Sequence, residues 1–253
     1  SGAPIDQLAD SELSRIHKLA PGTFTKGLWE LPPSNRANAT AQTMAVTCLH
    51  EHSDELCDLF EAADLDVIAI DVAALATIRA LPDIAEGAHA ILEIEDSRAS
   101  LAVAHNGVLL FQRDLGEMTM RRLRAEVAKH LRLPASTVSA LLHEQGLNPD
   151  GDGPAALAEA VKESLEVFIE EIAHSAAYAS SRFANVNIAR VFFVGPAAGI
   201  PGLAEHLGAS LECAFTVPHI CELTRQGCPF AEHARPGEGI SALGLALWKA
   251  VAA

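Results

Sequence analysis

The chain has 253 residues, room for one large domain or two small ones, and 49% of them are hydrophobic. Its 18 basic and 33 acidic residues give a formal charge of −15, with 5 basic against 14 acidic residues through His89 and the rest beyond it. This is globular rather than disordered composition, and acidity spread over the whole chain rules against a generic nucleic-acid binder, because phosphate repels it.

No apolar run approaches the roughly 20 residues of a membrane span, so direct membrane insertion is not expected. No secretory leader is visible. The Ser1-Gly2 start without Met reads as the scar of a removed tag, and the natural protein is expected to begin earlier. Cys48, Cys57, Cys213, Cys221 and Cys228 are odd in number and irregular in spacing. They suit reduced thiols in a cytoplasm better than a disulfide framework.

In chain order, Leu8, Leu13, Ile16 and Leu19 predict a helix within residues 1–24, stopped by Pro21-Gly22. A short strand is expected at 26–31 and another at 44–49, with a polar loop at 34–40 between them. Ser53 is placed to cap a helix through Ala63, with Leu56, Leu59 and Phe60 on one face. A buried strand at 65–70 and a helix at 72–81 complete a small acidic unit. Residues 82–88 read as a linker.

The pattern then changes. Three apolar runs, 90–94, 100–104 and 108–113, predict an antiparallel meander, with Asn106-Gly107 at its second turn. A basic helix at 118–131 carries Arg121, Arg122, Arg124 and Lys129, with Arg132 just beyond it. It reads as a solvated face, pairing with the acidic helix of Glu163, Glu166, Glu170 and Glu171. A short helix at 136–144 and a turn-rich break at 148–153 follow. Pro154 opens a long helix to Phe183, whose stripe of Leu157, Val161, Leu165, Phe168 and Ile172 is core. Then come a buried strand at 190–194, a loop at 195–201, a helix at 202–211, a strand at 213–217, an irregular stretch at 220–235 and a closing helix at 239–251. This order suits an α/β domain with a mixed sheet.

Few residues carry recognisable chemistry. The loop from Gly195 to Gly202 joins a buried strand to a helix, where small residues let a ligand approach the backbone; on these residues alone a tight strand-to-helix turn is the favoured explanation. His50-Glu51-His52 with Asp54 reads as solvated turn residues. His219, Cys221, Cys228 and His233 have zinc-ligand chemistry but lack the close Cys pair of a ribbon or finger, so no metal is expected. No Walker loop, no Gly-x-Ser-x-Gly and no recognisable carboxylate pair is present.

The order of segments resembles the PilM family, cytoplasmic actin-like proteins of type IV pilus assembly related to the cell-division protein FtsA. Four segments carry the resemblance. Residues 60–72, Phe-Glu-Ala-Ala-Asp-Leu-Asp-Val-Ile-Ala-Ile-Asp-Val, are similar to the run that leads from the family's inserted subdomain. Residues 91–94 with 105–113 look like its phosphate-loop hairpin. Glu171-Ile172-Ala173-His174-Ser175, followed by residues 191–203, resembles its long helix and adenosine loop. Ala242-Leu243-Gly244-Leu245-Ala246 matches its closing helix.

The resemblance implies an α/β fold: an actin-like, ribonuclease-H-like lobe at 89–253, a small inserted α/β subdomain at 1–81, and a linker at 82–88. The departures are as informative. Glu93 stands where the family has Asp, and Glu95 where it has Gly. A carboxylate there repels phosphate and blocks its approach to the backbone. The family's Gly-Gly-Gly-Ala adenosine loop is reduced to Gly195-Pro196-Ala197-Ala198. The family's first phosphate loop has no counterpart. Glu93, Glu95, Ser97, Gly195, Pro196 and Gly199 are therefore degenerate nucleotide-loop positions, expected not to bind.

The resulting expectation is a cytoplasmic scaffold, peripheral to the inner membrane through its partners and without cofactor or catalytic residues. It would bind the cytoplasmic peptide of a PilN-like inner-membrane protein, or a second copy of itself, along residues 26–72, with Leu28, Trp29 and Leu31 giving specificity. Two alternatives remain: an active actin-like ATPase using Mg-ATP whose N-terminal part is missing, or the cytoplasmic domain of a type II secretion L-type protein.

Overall fold

The computed structural model describes residues 4–18, 20–33, 42–147, 155–183, 186–224 and 233–248. It divides into two compact units, Ser1–Asp71 and Val72–Ala253.

The small unit holds α1 (Ile5–His17), β1 (Phe24–Glu30), β2 (Thr43–Leu49) and α2 (His50–Glu61). The two strands pair antiparallel, from Phe24 opposite Leu49 to Glu30 opposite Thr43. The expected polar loop at 34–40 lies outside the described residues, as does Leu19. α1 ends at Lys18, which takes the left-handed conformation with φ 56°, before Pro21-Gly22 is reached. Lys26 on β1 reaches back to α1, where its ammonium bonds the Asp10 carboxylate and donates to the Asp6 carbonyl at 2.9 Å.

Two expectations fail in this unit. α2 starts at His50, three residues ahead of Ser53, because β2 runs straight into it; Leu49 is the extended residue before the helix, with no side-chain cap. Ser53 Oγ donates to the His50 carbonyl at 2.9 Å instead of capping, a back-bond that a serine in a helix can make. The strand expected at 65–70 does not form. Those residues adopt no regular structure, and Ile68 is 82% exposed. A strand exists only where a neighbour completes its hydrogen-bond ladder, and among the described residues this unit has only the β1–β2 pair. The sole large apolar side chain buried among its described residues is Leu13.

The large unit is built on a five-stranded sheet of β3 (Ala88–Ile94), β4 (Ala99–His105), β5 (Val108–Asp114), β6 (Ile188–Val194) and β7 (Ala214–Thr216). The order is β5-β4-β3-β6-β7. The first three strands form the predicted antiparallel meander, while β6 pairs parallel to β3 and β7 parallel to β6. Asn106 and Gly107 take φ 51° and 76° at the second turn, the positive angles that a two-residue hairpin of this twist requires. The helices are α3 (Ala73–Ala80), α4 (Met120–Leu131), α5 (Ala135–Glu144), α6 (Ala155–Arg182), α7 (Leu203–Leu211), α8 (Ile220–Leu223) and α9 (Ile240–Ala246). Leu157, Val161, Leu165, Phe168 and Ile172 of α6 are all buried, as their spacing predicts. The break expected at 148–153 lies outside the described residues. The irregular stretch at 220–235 begins with the short α8, and residues 225–232 lie outside the description.

The division between units falls after Asp71, ten residues ahead of the expected boundary at 81. The reason is packing. α3 buries Ala74, Ala76, Thr77, Ile78 and Ala80, and its partner is α9. Thr77 Oγ1 lies 3.1 Å from Ser241 Oγ, and Arg79 donates to the Gly244 carbonyl at 2.8 Å. The expected linker at 82–88 is no linker either. Residues Pro82–Ala85 form a 3-10 turn with Ile84 buried, and the Ile84 carbonyl accepts the Gly107 N–H at 3.1 Å. The segment is stitched to the β4–β5 hairpin.

Candidate nucleotide cleft and docking strand

Three chain segments meet beyond the ends of β3 and β6. The first is the turn from β3 to β4. Glu95 N–H donates to the Arg98 carbonyl at 2.8 Å and closes it. α4 is anchored on the same turn: Met120 N–H donates to the Glu95 carbonyl and Arg121 N–H to the Asp96 carbonyl, both at 3.0 Å. Thr119 caps α4 by accepting from the Arg122 N–H at 3.3 Å. Asp96 accepts from Arg121 at 3.0 Å and also from Arg124. The Arg124 bond, then the Arg121 bond, hold its carboxyl below the usual range.

The second segment is the loop after β6. Gly195 has φ 87°, and a Cβ there would stand 2.6 Å from the Ile94 carbonyl oxygen, so only glycine fits. The third segment, residues 235–241, leads into α9 and lies against that loop. Gly195 N–H donates to the Gly237 carbonyl at 2.9 Å, and Gly237 N–H to the Pro218 carbonyl at 2.8 Å. A Cβ on Gly199 would touch Arg235 Cβ and the Pro236 oxygen at 3.5 Å, so this segment covers that side of the loop.

Between the three lies a cleft of about 280 Å³, lined by Glu93, Glu95, Gly195, Pro196, Glu238 and Ser241 among others. Four of the six expected loop positions therefore converge. Ser97 sits exposed at the tip of the β3–β4 turn, and neither it nor Gly199 lines the cleft. Glu93 is only 6% exposed. Its two oxygens are taken by Arg98 and by Ser241 Oγ, each at 3.1 Å. Glu238 accepts from the Arg235 N–H at 3.2 Å. Burial, then the neighbouring Glu93, push the Glu95 carboxyl up, with Arg98 opposing. On α5, burial and then Arg235 hold His143 below its ordinary value.

The chemistry is that of a carboxylate-lined cleft satisfied from within the chain. An entering triphosphate would meet Glu93, Glu95 and Glu238. Arg98, Glu238 and Ser241 are the partners that sequence reasoning missed. The Pro236-Gly237-Glu238-Gly239 run was the available signal, since two glycines beside a Pro mark a backbone that must approach something closely.

The other proposed sites are dispersed. His50 Nε2 lies 3.1 Å from Thr25 Oγ1, and His219 Nδ1 accepts from the Cys221 N–H at 3.2 Å. Cys228 lies outside the described residues. No group of three or more His, Cys, Asp or Glu converges on a possible metal position among the described residues. The basic helix does not pair broadly with the acidic one. Its arginines turn to Asp96 and Glu117, and among the described residues the ion contact from α4 to α6 is made by His130, 3.4 Å from Glu163. The β3–β4 turn and the residues just before α4 supply nearer carboxylates than α6 does. Beside this contact, a groove of about 870 Å³ opens between α4 and α6 over Leu123, Leu165 and Phe168.

Leu28, Trp29 and Leu31 are half-buried in the small unit. Leu28 faces Ala45 and Trp29 faces Met44 across the pair. Successive side chains of a strand point to opposite faces, so Trp29 and Leu31 share one face while Leu28 shares the other with Lys26. β1 has β2 as its one strand neighbour among the described residues.

No protein-family model matches the chain, and no curated protein sequence matches it. Solved structures do. The structure titled "PilM-PilN type IV pilus biogenesis complex" matches with a TM-score of 0.76 at 17% identity, over 97% of this chain and 73% of that one. The ethanolamine utilization protein EutJ from Carboxydothermus hydrogenoformans matches with 0.56 at 16% identity, over 80% and 62%. MreB5 of Spiroplasma citri bound to AMPPNP matches with 0.58 at 10% identity, over 80% and 65%. The chain thus spans under two thirds of the EutJ and MreB5 chains. The chain has the actin-like fold, with the small α/β unit ahead of its five-stranded lobe.

Proposed function

We propose that this protein is a PilM-like scaffold of a type IV pilus or related secretion assembly, which holds the cytoplasmic segment of an inner-membrane partner and does not turn over ATP. The likeness to the PilM–PilN structure supports the first half of this reading. The observation that carries the second half is Glu93, buried and bonded on both oxygens by Arg98 and Ser241, so that the carboxylate standing where the resembled family has its phosphate-loop Asp is tied up within the chain. The small unit supplies the docking strand. β1 offers main-chain groups for an added strand, and Trp29 with Leu31 offers an apolar face beside them. α1 stands against the opposite face through Lys26. The scaffold would be cytoplasmic and reach the inner membrane through its partner; no helix among the described residues is long and apolar enough to cross a membrane.

Calorimetry tests both halves. Mg-ATP titrated into the chain is expected to give no heat of binding, and low-micromolar affinity would restore the ATPase reading. The N-terminal cytoplasmic segment of a PilN-type protein from the same genome is expected to bind and to protect residues 24–33 from hydrogen exchange. Protection confined to the large unit would move the docking site there.

A further inference from the structure

α2 is an amphipathic helix with exposed residues on both its apolar and its acidic side. None of its residues is buried. Leu56 is 39%, Leu59 67% and Phe60 40% exposed. The stripe continues past the helix end, because the Leu65 N–H donates to the Phe60 carbonyl at 3.0 Å and places Leu65, also exposed, one turn on. Glu51, Asp54, Glu55, Asp58 and Glu61 are all exposed, and helical spacing sets them on the side away from Leu56 and Phe60. No Lys or Arg occurs between His50 and Asp71. None of the five carboxylates has an ion-pair partner among the described residues. The small unit holds 4 basic and 12 acidic residues, a net charge of −8.

This arrangement is poor for an isolated helix. Glu51 with Glu55 and Asp54 with Asp58 are like-charge pairs at i,i+4, each mildly destabilising. A stripe with Leu59 two-thirds exposed and Leu56 and Phe60 each about two-fifths exposed leaves part of its burial unrealised. Both deficits are removed by one kind of neighbour: a segment with an apolar side and an excess of Lys or Arg. An anionic membrane surface or an acidic peptide would be repelled. Cytoplasmic segments next to a membrane span carry such a Lys/Arg excess.

We propose that α2 and Leu65 form a docking surface for a Lys/Arg-rich amphipathic segment in the cytoplasmic tail of a membrane protein. The inference rests on the small unit being the docking module of the scaffold. It is independent of the ATP reading and of strand addition at β1. The apolar stripe supplies the contact, and the carboxylates supply selection by charge and a salt-dependent on-rate.

The probe is a fluorescent peptide of about 15 residues made of Leu and Lys at helical spacing, with a Leu/Glu peptide as its mirror in charge. Anisotropy with the full chain at about 50 mM salt is expected to show binding of the Leu/Lys peptide alone, weakening at about 300 mM. The variant E51Q/D54N/E55Q/D58N is expected to bind at least about tenfold more weakly, and L59S/F60S likewise. Neutralising four exposed carboxylates elsewhere, E126Q/E159Q/E166Q/E170Q, is expected to change affinity less than about twofold. Circular dichroism checks folding; removing like-charge pairs should not weaken α2. Equal losses in both four-residue variants would show bulk attraction only and overturn the proposal, as would hydrogen-exchange protection outside residues 50–66. The PilN-type segment is titrated in parallel. If it binds the wild type and the α2 variants alike, the scaffold reading stands and the α2 proposal falls. If the Leu/Lys peptide selects α2 while that segment binds nowhere, the α2 surface stands and the pilus reading falls.

Discussion

Replacing Gly244 by Ala sets two effects of known size against each other. In the middle of a helix, Gly→Ala is worth about 1 kcal/mol in favour of the variant. Here, however, the new Cβ would stand 1.7 Å from the Ala76 carbonyl oxygen and 2.4 Å from its carbon. A carbon–oxygen contact needs about 3.3 Å, so α9 must retreat from α3 by roughly 1.6 Å. The obstacle is backbone, not the end of a flexible side chain, and cannot rotate away. Retreat strains the Arg79 bond to the Gly244 carbonyl and the Thr77–Ser241 contact, each worth about 1 kcal/mol. Overpacking adds about 1–3 kcal/mol. The clash wins, and G244A is expected to be less stable by about 2–3 kcal/mol, a fall in Tm of about 5–10 °C for a unit of this size. Differential scanning calorimetry reads it, with A242G on the exposed side of α9 as a control that loses only propensity, about 1 kcal/mol. A G244A protein that melts at or above the wild-type temperature would show that α3 and α9 do not cross where described.

Two further outcomes follow from the cleft. R98M should lower stability by about 1–2 kcal/mol, less than for a fully buried pair because Arg98 is half exposed, and E93L/R98M should recover part of it. A double-mutant cycle with coupling under about 0.3 kcal/mol would mean that Arg98 does not seal Glu93. Burial and Glu93 raise the Glu95 pKa, so the folded state favours the protonated acid, and stability falls as pH rises from the unfolded value through the folded one. E95Q should therefore melt higher than the wild type at about pH 7, with the gain shrinking towards about pH 4; a gain that does not change with pH would refute the sign.

What the sequence disclosed follows the physics of each element. The Asn106-Gly107 hairpin and the α6 stripe were readable because turn chemistry and helical period are local properties. The 65–70 segment misled for the opposite reason. Leu65, Val67, Ile68 and Ile70 have strand composition, but composition cannot supply the neighbour that a strand needs, and no described strand pairs with them. Sequence adjacency groups the 72–81 helix with the small unit, whereas the division of the chain falls ahead of it, after Asp71. Its partner α9 lies more than 150 residues away, and only the small-residue crossing at Ala76 and Gly244 hinted at it. At the cleft, the degenerate positions were legible because resemblance supplied a template for what should stand there. Arg98 and Ser241 were not, because a salt link from a turn and a hydroxyl from a distant helix leave no pattern in spacing; the Pro236-Gly237-Glu238-Gly239 run pointed only to the segment that carries Glu238.

Those missed partners decide how the cleft can respond to reversal of its substitutions. The variant E93D/E95G/P196G rebuilds the loop chemistry of the resembled family at three positions. If the side chains at these three positions were the whole obstacle, ATP binding should return. The geometry predicts that it does not. Glu93 spans Arg98 and Ser241 at 3.1 Å each, and Asp, one methylene shorter, is not expected to reach both. The segment at Arg235 and Pro236 would still lie against Gly199, and Glu238 would still face the cleft. The triple variant is therefore expected to lose stability and to give no heat with Mg-ATP. Micromolar binding would show that residues 235–241 move aside for a nucleotide, and that three side chains alone had closed the site.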